Sequence, residues 1–295
     1  MIVPLPEIPH KIKEAYEADN LVVFVGAGVS KLIGCPSWRE LSEKVVRDCA
    51  TNLSYRESES LLQIVDPKKI LSICKQVRSS EDDFVDSIRN SLVANETDLN
   101  ENENIYQIIK DIGTYFVTTN IDCHFDNKFS RIVAEESEFS SASINDDNLY
   151  KLHGSLTAPH TIVLTARDYL KRYKDGNRIK EFLRQLFTKN VLFIGYGLTE
   201  FEVIQHLQLP EQTADEPFEI KHYILDGYFQ GDQKRLDLDN LYYRQLGIEC
   251  IGYEKDEKGY KQLKEVLINW HQILEERPPL EEMQAQMDMI DEEVV

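Results

Sequence analysis

The chain predicts a Rossmann-like, doubly wound α/β fold with a parallel sheet, on three observations. Short β-branched runs alternate with helical patterns over most of its length. The runs at 21–25 and 191–194 are apolar at every position, as strands buried on both faces are. Four of the strand ends carry clustered glycine, asparagine or histidine, at the edge where open α/β sheets bind ligands.

Taken in order, a helix over 7–18 leads into the first strand, 21–25, which breaks into Gly26-Ala27-Gly28-Val29-Ser30. Ser37 and Glu40 have the spacing of a capping box and open a helix to about Cys49, with Leu41, Val45, Val46 and Cys49 on one face. Spaced apolar positions without a strand predict a helical insertion at about 50–104, after the first βα unit, closing in a polar loop at 95–104. A helix at 105–112 feeds a buried strand at 115–118 that ends in Thr119-Asn120-Ile121-Asp122. Beyond a polar stretch at 137–148, a strand at 149–152 ends in His153-Gly154-Ser155. Another strand is expected at 161–164, with Thr165 capping the next helix. The strand at 191–194 ends in Gly195-Tyr196-Gly197, and Thr199-Glu200-Phe201-Glu202 has a second capping-box form. Late strands at 222–225 and 248–253 and an amphipathic helix at 260–274 complete a domain expected to span 1–275, followed by an acidic tail at 276–295.

Acidic residues outnumber basic ones 52 to 33, a formal net charge of −19. A field of that sign repels nucleic acid and anionic membranes, so neither is an expected partner. A glycine loop can still hold a small anion through its own N–H groups. No apolar run has the length of a membrane span, and residues 1–10 lack the pattern of a signal peptide, so the cytoplasm is the expected location. The five cysteines are scattered, with no Cys-x-x-Cys pair. Neither zinc nor a disulfide framework is expected.

The strand-end motifs GAGVSKLIGCPSWREL, FVTTNID, KLHGSL and VLFIGYGLTE, in that order, resemble the sirtuin fold. The resemblance is to its divergent sirtuin-like branch, found as an effector in bacterial antiphage systems, and covers roughly 21–253. It implies NAD as substrate, with Gly26, Ala27, Gly28 and Ser30 at the pyrophosphate and Asn120 and Asp122 beside the nicotinamide ribose. It further implies His153 as the base, Gly195 and Gly197 framing the adenosine side, and Trp38 with Arg39 as an aromatic–arginine pair over the nicotinamide pocket. The residues themselves leave plainer uses open. His153 can bond backbone, Asn120 can cap a turn, Asp122 can cap a helix and Trp38 can be core.

The chemistry asks little of such a set. Breaking the nicotinamide–ribose bond passes through an oxocarbenium-like state, and nicotinamide leaves neutral, so no carboxylate pair is needed. One base, one amide to orient ribose or water, and a shielded pocket suffice, which Asn120 and His153 would supply. A side chain at Gly28 is expected to weaken NAD binding more than ligand-free stability.

Protein-deacylating sirtuins carry a four-cysteine zinc module that this chain has no residues for. They also have an acidic residue before the aromatic, where this chain reads Ser37-Trp38-Arg39. Water is then the remaining nucleophile, and NAD hydrolysis the expected reaction, depleting NAD during phage infection. A protein deacylase or ADP-ribosyltransferase, and a non-catalytic module sensing NAD or ADP-ribose, are the alternatives. A free NAD hydrolase is toxic to its host. The resemblance therefore implies an enzyme kept inactive until triggered, through a homo-oligomer switch or a partner such as a hexameric ATPase/translocase or another defence-system sensor.

Overall fold

In the computed structural model the β-branched runs form one all-parallel sheet. The structure describes residues 1–49, 52–78, 80–102, 104–140, 144–174, 178–198, 201–207 and 219–276. The strands are β1 (Leu21–Val25), β2 (Tyr115–Thr118), β3 (Arg131–Val133), β4 (Asn148–Lys151), β5 (Asn190–Ile194), β6 (His222–Tyr228) and β7 (Ile248–Glu254). They stand in the order β3-β4-β2-β1-β5-β6-β7. The chain winds outward from β1 on one side and then returns to its other side at β5, which makes the β1/β5 boundary the topological switch point.

β1 shows how its sequence sets two layers. Successive side chains point to opposite faces, so Val22 and Phe24 join one core while Leu21, Val23 and Val25 join the other. All five are buried, each contributing on the order of 1.5–3 kcal/mol of transfer free energy.

Helices α1 (His10–Glu17) and α2 (Ala27–Leu32) cover the second face. Between β1 and β2 the chain builds α3 (Trp38–Asp48), α4 (Tyr55–Leu62), α5 (Pro67–Val77), α6 (Glu81–Ser91) and α7 (Glu96–Glu101). Helices α3 to α6 bury their stripes on one another, Val45 and Val46 against Leu61, Ile70, Leu71, Phe84 and Ile88. This third core reaches the strand-end loops through Ile121 and Leu164. The expected capping box is present, Ser37 accepting from the Glu40 N–H while Glu40 accepts from the Ser37 N–H. Helix α8 (Ile105–Asp111) returns to the second face. Helices α9 (Ala166–Arg172), α10 (Arg178–Leu186), α11 (Phe201–Ile204) and α12 (Gln233–Arg244) pack on the first, and α13 (Gln262–Glu275) closes the second through Val266, Leu267 and Trp270.

The structure departs from the sequence-based expectation in three places. The polar stretch 95–104 contains α7, because the Asn95 side chain caps it by accepting from the N–H groups of Thr97 and Asp98. No strand forms at 161–164. A short 3-10 turn over Pro159–Thr161 precedes it, and the Val163 N–H then donates to the His153 carbonyl. The three-residue edge strand β3 and the helices α10 and α12 are additional elements. Thr199, Glu200 and nearly all of the acidic tail, 277–295, lie outside the described residues.

Candidate active site

At the ends of β1 and β2 the loops interlock through a buried polar network. Asn120 donates from Nδ2 to the Gly26 carbonyl and to Ser30 Oγ, each at 3.0 Å. The Gly26 carbonyl can only accept, which fixes the amide nitrogen toward it and assigns the other amide atom as Oδ1. That oxygen is buried and has no hydrogen-bond partner among the described residues. Ser30 Oγ donates to Asp122 Oδ2 at 2.8 Å and accepts from the Tyr106 hydroxyl at 3.0 Å. Burial and the Asp122 charge hold the Tyr106 phenol far above its ordinary pKa, so it remains the donor. Asp122 Oδ1 accepts from the His124 N–H at 3.2 Å. The buried Lys151 ammonium donates to the Asp122 carbonyl and pairs with Asp126 at 2.8 Å, fixing the loop from below.

Ser30 therefore has another task than contacting a phosphate. Its one hydroxyl proton goes to Asp122 and both lone pairs are taken, so it positions Asn120 and Asp122. Asp122 sits in the same buried network, its Oδ1 also capping the turn at His124.

The three glycines meet at the switch point. The Gly26 N–H donates to the Ile194 carbonyl at 2.9 Å and the Gly28 N–H to the Gly195 carbonyl at 2.8 Å. Ala27 lies between them as the first residue of α2, where an N–H has no intrahelical partner. A Cβ on Gly28 would stand 2.8 Å from both Gly195 Cα and the Gly195 carbonyl oxygen. A side chain at Gly28 therefore strains the ligand-free protein as well as the approach of a ligand, since the space is filled by protein backbone. Gly28→Ala is expected to cost about 1–3 kcal/mol without ligand, as overpacking does. A thermal midpoint measured without nucleotide and equal to wild type would contradict that packing.

Two clefts flank α2. A narrow one, about 40 Å³, is bordered by Ala27, Ser30, Trp38, Asn120, Asp122 and Leu164. A larger one, about 530 Å³, runs from Gly28, Gly195 and Gly197 outward over β6 and β7, past Asp226 and Tyr253. Lys31, Lys258 and Lys261 line it together with Asp98 and Asp226, and each lysine is paired with a carboxylate, Lys31 with Glu40, Lys258 with Glu265 and Lys261 with Asp98 and Glu101. No group of three or more His, Cys, Asp or Glu among the described residues is placed to hold a metal.

Two expected site residues stand apart. Arg39 turns away from the narrow cleft. Its guanidinium bonds Glu43 at 2.6 Å and caps the carbonyls of Leu62 and Ile64 at the end of α4, so only Trp38 of the pair borders the cleft. His153 is fully buried under α9, with the Tyr173 hydroxyl 3.0 Å from Nε2 and the Tyr169 hydroxyl 3.4 Å from Nδ1. Burial, then the nearby Arg172 and Lys68 charges, push its pKa down to about 3. The sequence-based site omits Tyr106, Lys151 and Asp226; of these, Asp226 carries a signal, an acidic residue directly after an apolar strand run.

His222, whose ring nitrogens are both unpartnered among the described residues, is likewise pushed down to about 3 by burial and by Lys221. The folded protein keeps both histidines neutral, whereas the unfolded chain protonates them near pH 6.5. Unfolding thus takes up protons below pH 6.5, and the stability present above it is lost as pH falls toward 3, at up to about 1.4 kcal/mol per pH unit for each histidine. His222→Leu is expected to flatten the dependence of the urea midpoint on pH between 7 and 5. An unchanged slope would contradict the assignment.

A family model described as a SIR2-like domain matches residues 114–251. The chain is 26% identical over 221 residues to NAD(+) hydrolase ThsA of Bacillus cereus (strain MSX-D12), covering 72% of this chain and 44% of that protein. It is 28% identical over 200 residues to NAD(+) hydrolase ThsA of Enterococcus faecium, covering 64% and 40%. It is 23% identical over 254 residues to defense-associated sirtuin 2 of Bacillus subtilis, covering 82% and 24%. The chain spans less than half the length of these curated relatives.

Proposed function

Because the chain is Sir2-like, carrying a SIR2-like domain at residues 114–251 within a Rossmann-like sheet, we propose that it hydrolyses NAD+ to nicotinamide and ADP-ribose, and does so as an antiphage effector that depletes NAD. The observation that carries this is the buried Asn120 Oδ1, unpartnered among the described residues, on a side chain that Gly26 and Ser30 hold through Nδ2 and that borders the narrow cleft. A buried acceptor without a donor is costly, and a ribose hydroxyl or a water satisfies it.

The substrate would lie across the switch point. Its adenosine occupies the large cleft, its pyrophosphate crosses near Ala27, and its nicotinamide ribose reaches Asn120 beside Trp38. The C1′–N bond breaks with its electron pair going to the pyridinium, which leaves as neutral nicotinamide. Water adds at C1′ and gives up a proton. Asn120 orients the ribose or the water, and His153 accepts the proton once α9 has moved far enough to admit it.

The closure over His153 also supports an enzyme held inactive until triggered. Lys68 of α5 lies 3.7 Å over the Tyr169 ring, and Ser72 of α5 accepts from the Ala166 N–H, so the helical insertion is coupled to the helix that covers the histidine. The trigger we propose is assembly, either of copies of this chain or with a partner such as a hexameric ATPase or another defence-system sensor. Among the described residues no helix is long and apolar enough to cross a membrane.

The test is nicotinamide release from NAD by the purified protein, alone and with the product of its neighbouring gene. Time-dependent nicotinamide and ADP-ribose are expected in at least one condition. ADP-ribose binding without release in either would favour a sensor, for which the buried histidine is the supporting observation.

A further inference from the structure

We propose that Cys49 and Cys74, with Arg78 beside them, form a redox-active dithiol in the helical insertion, which a peroxide converts to a disulfide tying α3 to α5. Cys49 caps the C-terminal end of α3 and Cys74 lies in the last half of α5. Both are free, fully buried members of the third core. The two thiols are hydrogen-bond partners there. An ion pair pins the same two helix ends. Arg78 stands one turn beyond Cys74, its N–H still closing a bond to the Cys74 carbonyl at 3.2 Å. Its guanidinium lies 3.8 Å from Asp48, the residue before Cys49. Asp48 also accepts from the Ser87 hydroxyl. The Arg78 Nε is buried without a hydrogen-bond partner among the described residues, so the pair with Asp48 does not use up the guanidinium.

These surroundings make the two sulfurs unlike. The hydrogen bond from Cys74, and then the Arg78 charge, draw the Cys49 thiol below its ordinary pKa against the effect of burial. The same hydrogen bond and burial push Cys74 up, so it keeps its proton. A thiolate-forming sulfur beside a proton-bearing one is the arrangement of an attacking and a resolving cysteine. The Cys49 thiolate attacks one peroxide oxygen, the O–O bond breaks, and hydroxide leaves, so that Cys49 becomes a sulfenic acid. The Cys74 sulfur then attacks the Cys49 sulfur. The S–S bond forms as the S–O bond breaks, and the oxygen departs as water with the Cys74 proton. The hydroxide takes up the proton that Cys49 gave up, so two thiols and one peroxide become one disulfide and two waters. The tie matters because α3 carries Trp38 at the narrow cleft, while α5 holds α9 through Lys68 and Ser72. Cys35 and Cys250, by contrast, are pushed up to about 12 by burial, and burial raises Cys123. They hold their protons and serve as internal controls.

The test treats the folded full chain with hydrogen peroxide at neutral pH, unfolds it in an alkylating reagent and maps the cysteines by mass spectrometry. A Cys49–Cys74 linked peptide is expected ahead of oxidation at Cys35, Cys123 or Cys250, and dithiothreitol should reverse it. Cys74→Ala is expected to stop at the sulfenic acid, trapped on Cys49 by dimedone. Should that core variant fail to fold, Arg78→Met leaves the dithiol intact and is expected to slow the linkage by about 10-fold, the change in thiolate share for one pKa unit. The linked protein should have the higher thermal midpoint, since a disulfide that fits the native geometry restricts the unfolded chain. Full alkylation of both Cys49 and Cys74 after peroxide treatment would overturn the dithiol. So would linkage no faster than oxidation of the other three cysteines. An unchanged rate in Arg78→Met would overturn activation by the arginine, and a lowered midpoint in the linked protein would overturn the tie between α3 and α5.

Discussion

Asn120→Ala lowers nicotinamide release by about 10²–10³-fold, the cost of removing one positioned group that acts on developing charge. Affinity for ADP-ribose changes by less than about 10-fold, because a transition-state contact is expressed in turnover more than in ground-state binding. The Nδ2 of Asn120 bonds Gly26 and Ser30, and its Oδ1 is the acceptor left over. Alanine removes that acceptor and also leaves the Gly26 carbonyl without its side-chain donor, so part of any loss could come from the loop. Ser30→Ala separates the two effects. It removes the hydroxyl that fixes Asn120 and Asp122 but leaves the Asn120 acceptor in place, and should reduce turnover less. If Asn120→Ala lost binding and turnover equally, Asn120 would be a plain binding residue.

The sheet was legible because buried parallel strands leave continuous apolar runs. β1 and β5 announce themselves in this way, whereas their adjacency is read only from the structure. β3 was not, since three residues at a sheet edge, Arg131–Val133, carry no periodicity to read. Helix α7 was hidden by composition. Glu96–Glu101 buries none of its residues, and its start depends on a cap at Asn95 rather than on an apolar stripe. The run at 161–164 misled for the converse reason. Thr161 and Val163 are buried, Val163 in the first core and Leu164 with the half-buried Ile162 against the helical insertion, where burial favours them without a ladder.

The site was legible in position and less so in orientation. Gly26, Gly28, Asn120, Asp122 and Gly195 converge because strand ends on one edge must. Which way a side chain turns depends on partners distant in sequence. Tyr106 is 76 residues from the Ser30 hydroxyl it donates to, and the Leu62 and Ile64 carbonyls that capture Arg39 belong to the insertion. Glycine likewise reads as room for a ligand, whereas at Gly28 the room is filled by Gly195.

His153→Gln is expected to lower nicotinamide release by about 10²–10⁴-fold, the usual cost of a lost general base. Glutamine is the informative replacement. His153 is wholly buried between Tyr169 and Tyr173, so alanine would leave a cavity and strip the tyrosine hydroxyls of a partner, whereas the glutamine amide can still meet Tyr173. The pH dependence tells catalysis from packing. In the covered state the imidazole has a pKa near 3 and would be a poor base at neutral pH. Where α9 lifts to admit water, desolvation is relieved and the pKa returns toward about 6.5. The active form should then show kcat/KM falling as pH drops through roughly 6–7, a limb absent from the residual activity of His153→Gln. A folded His153→Gln protein that cleaved NAD at the wild-type rate, with the same acidic limb, would make this histidine a core residue and place the base elsewhere.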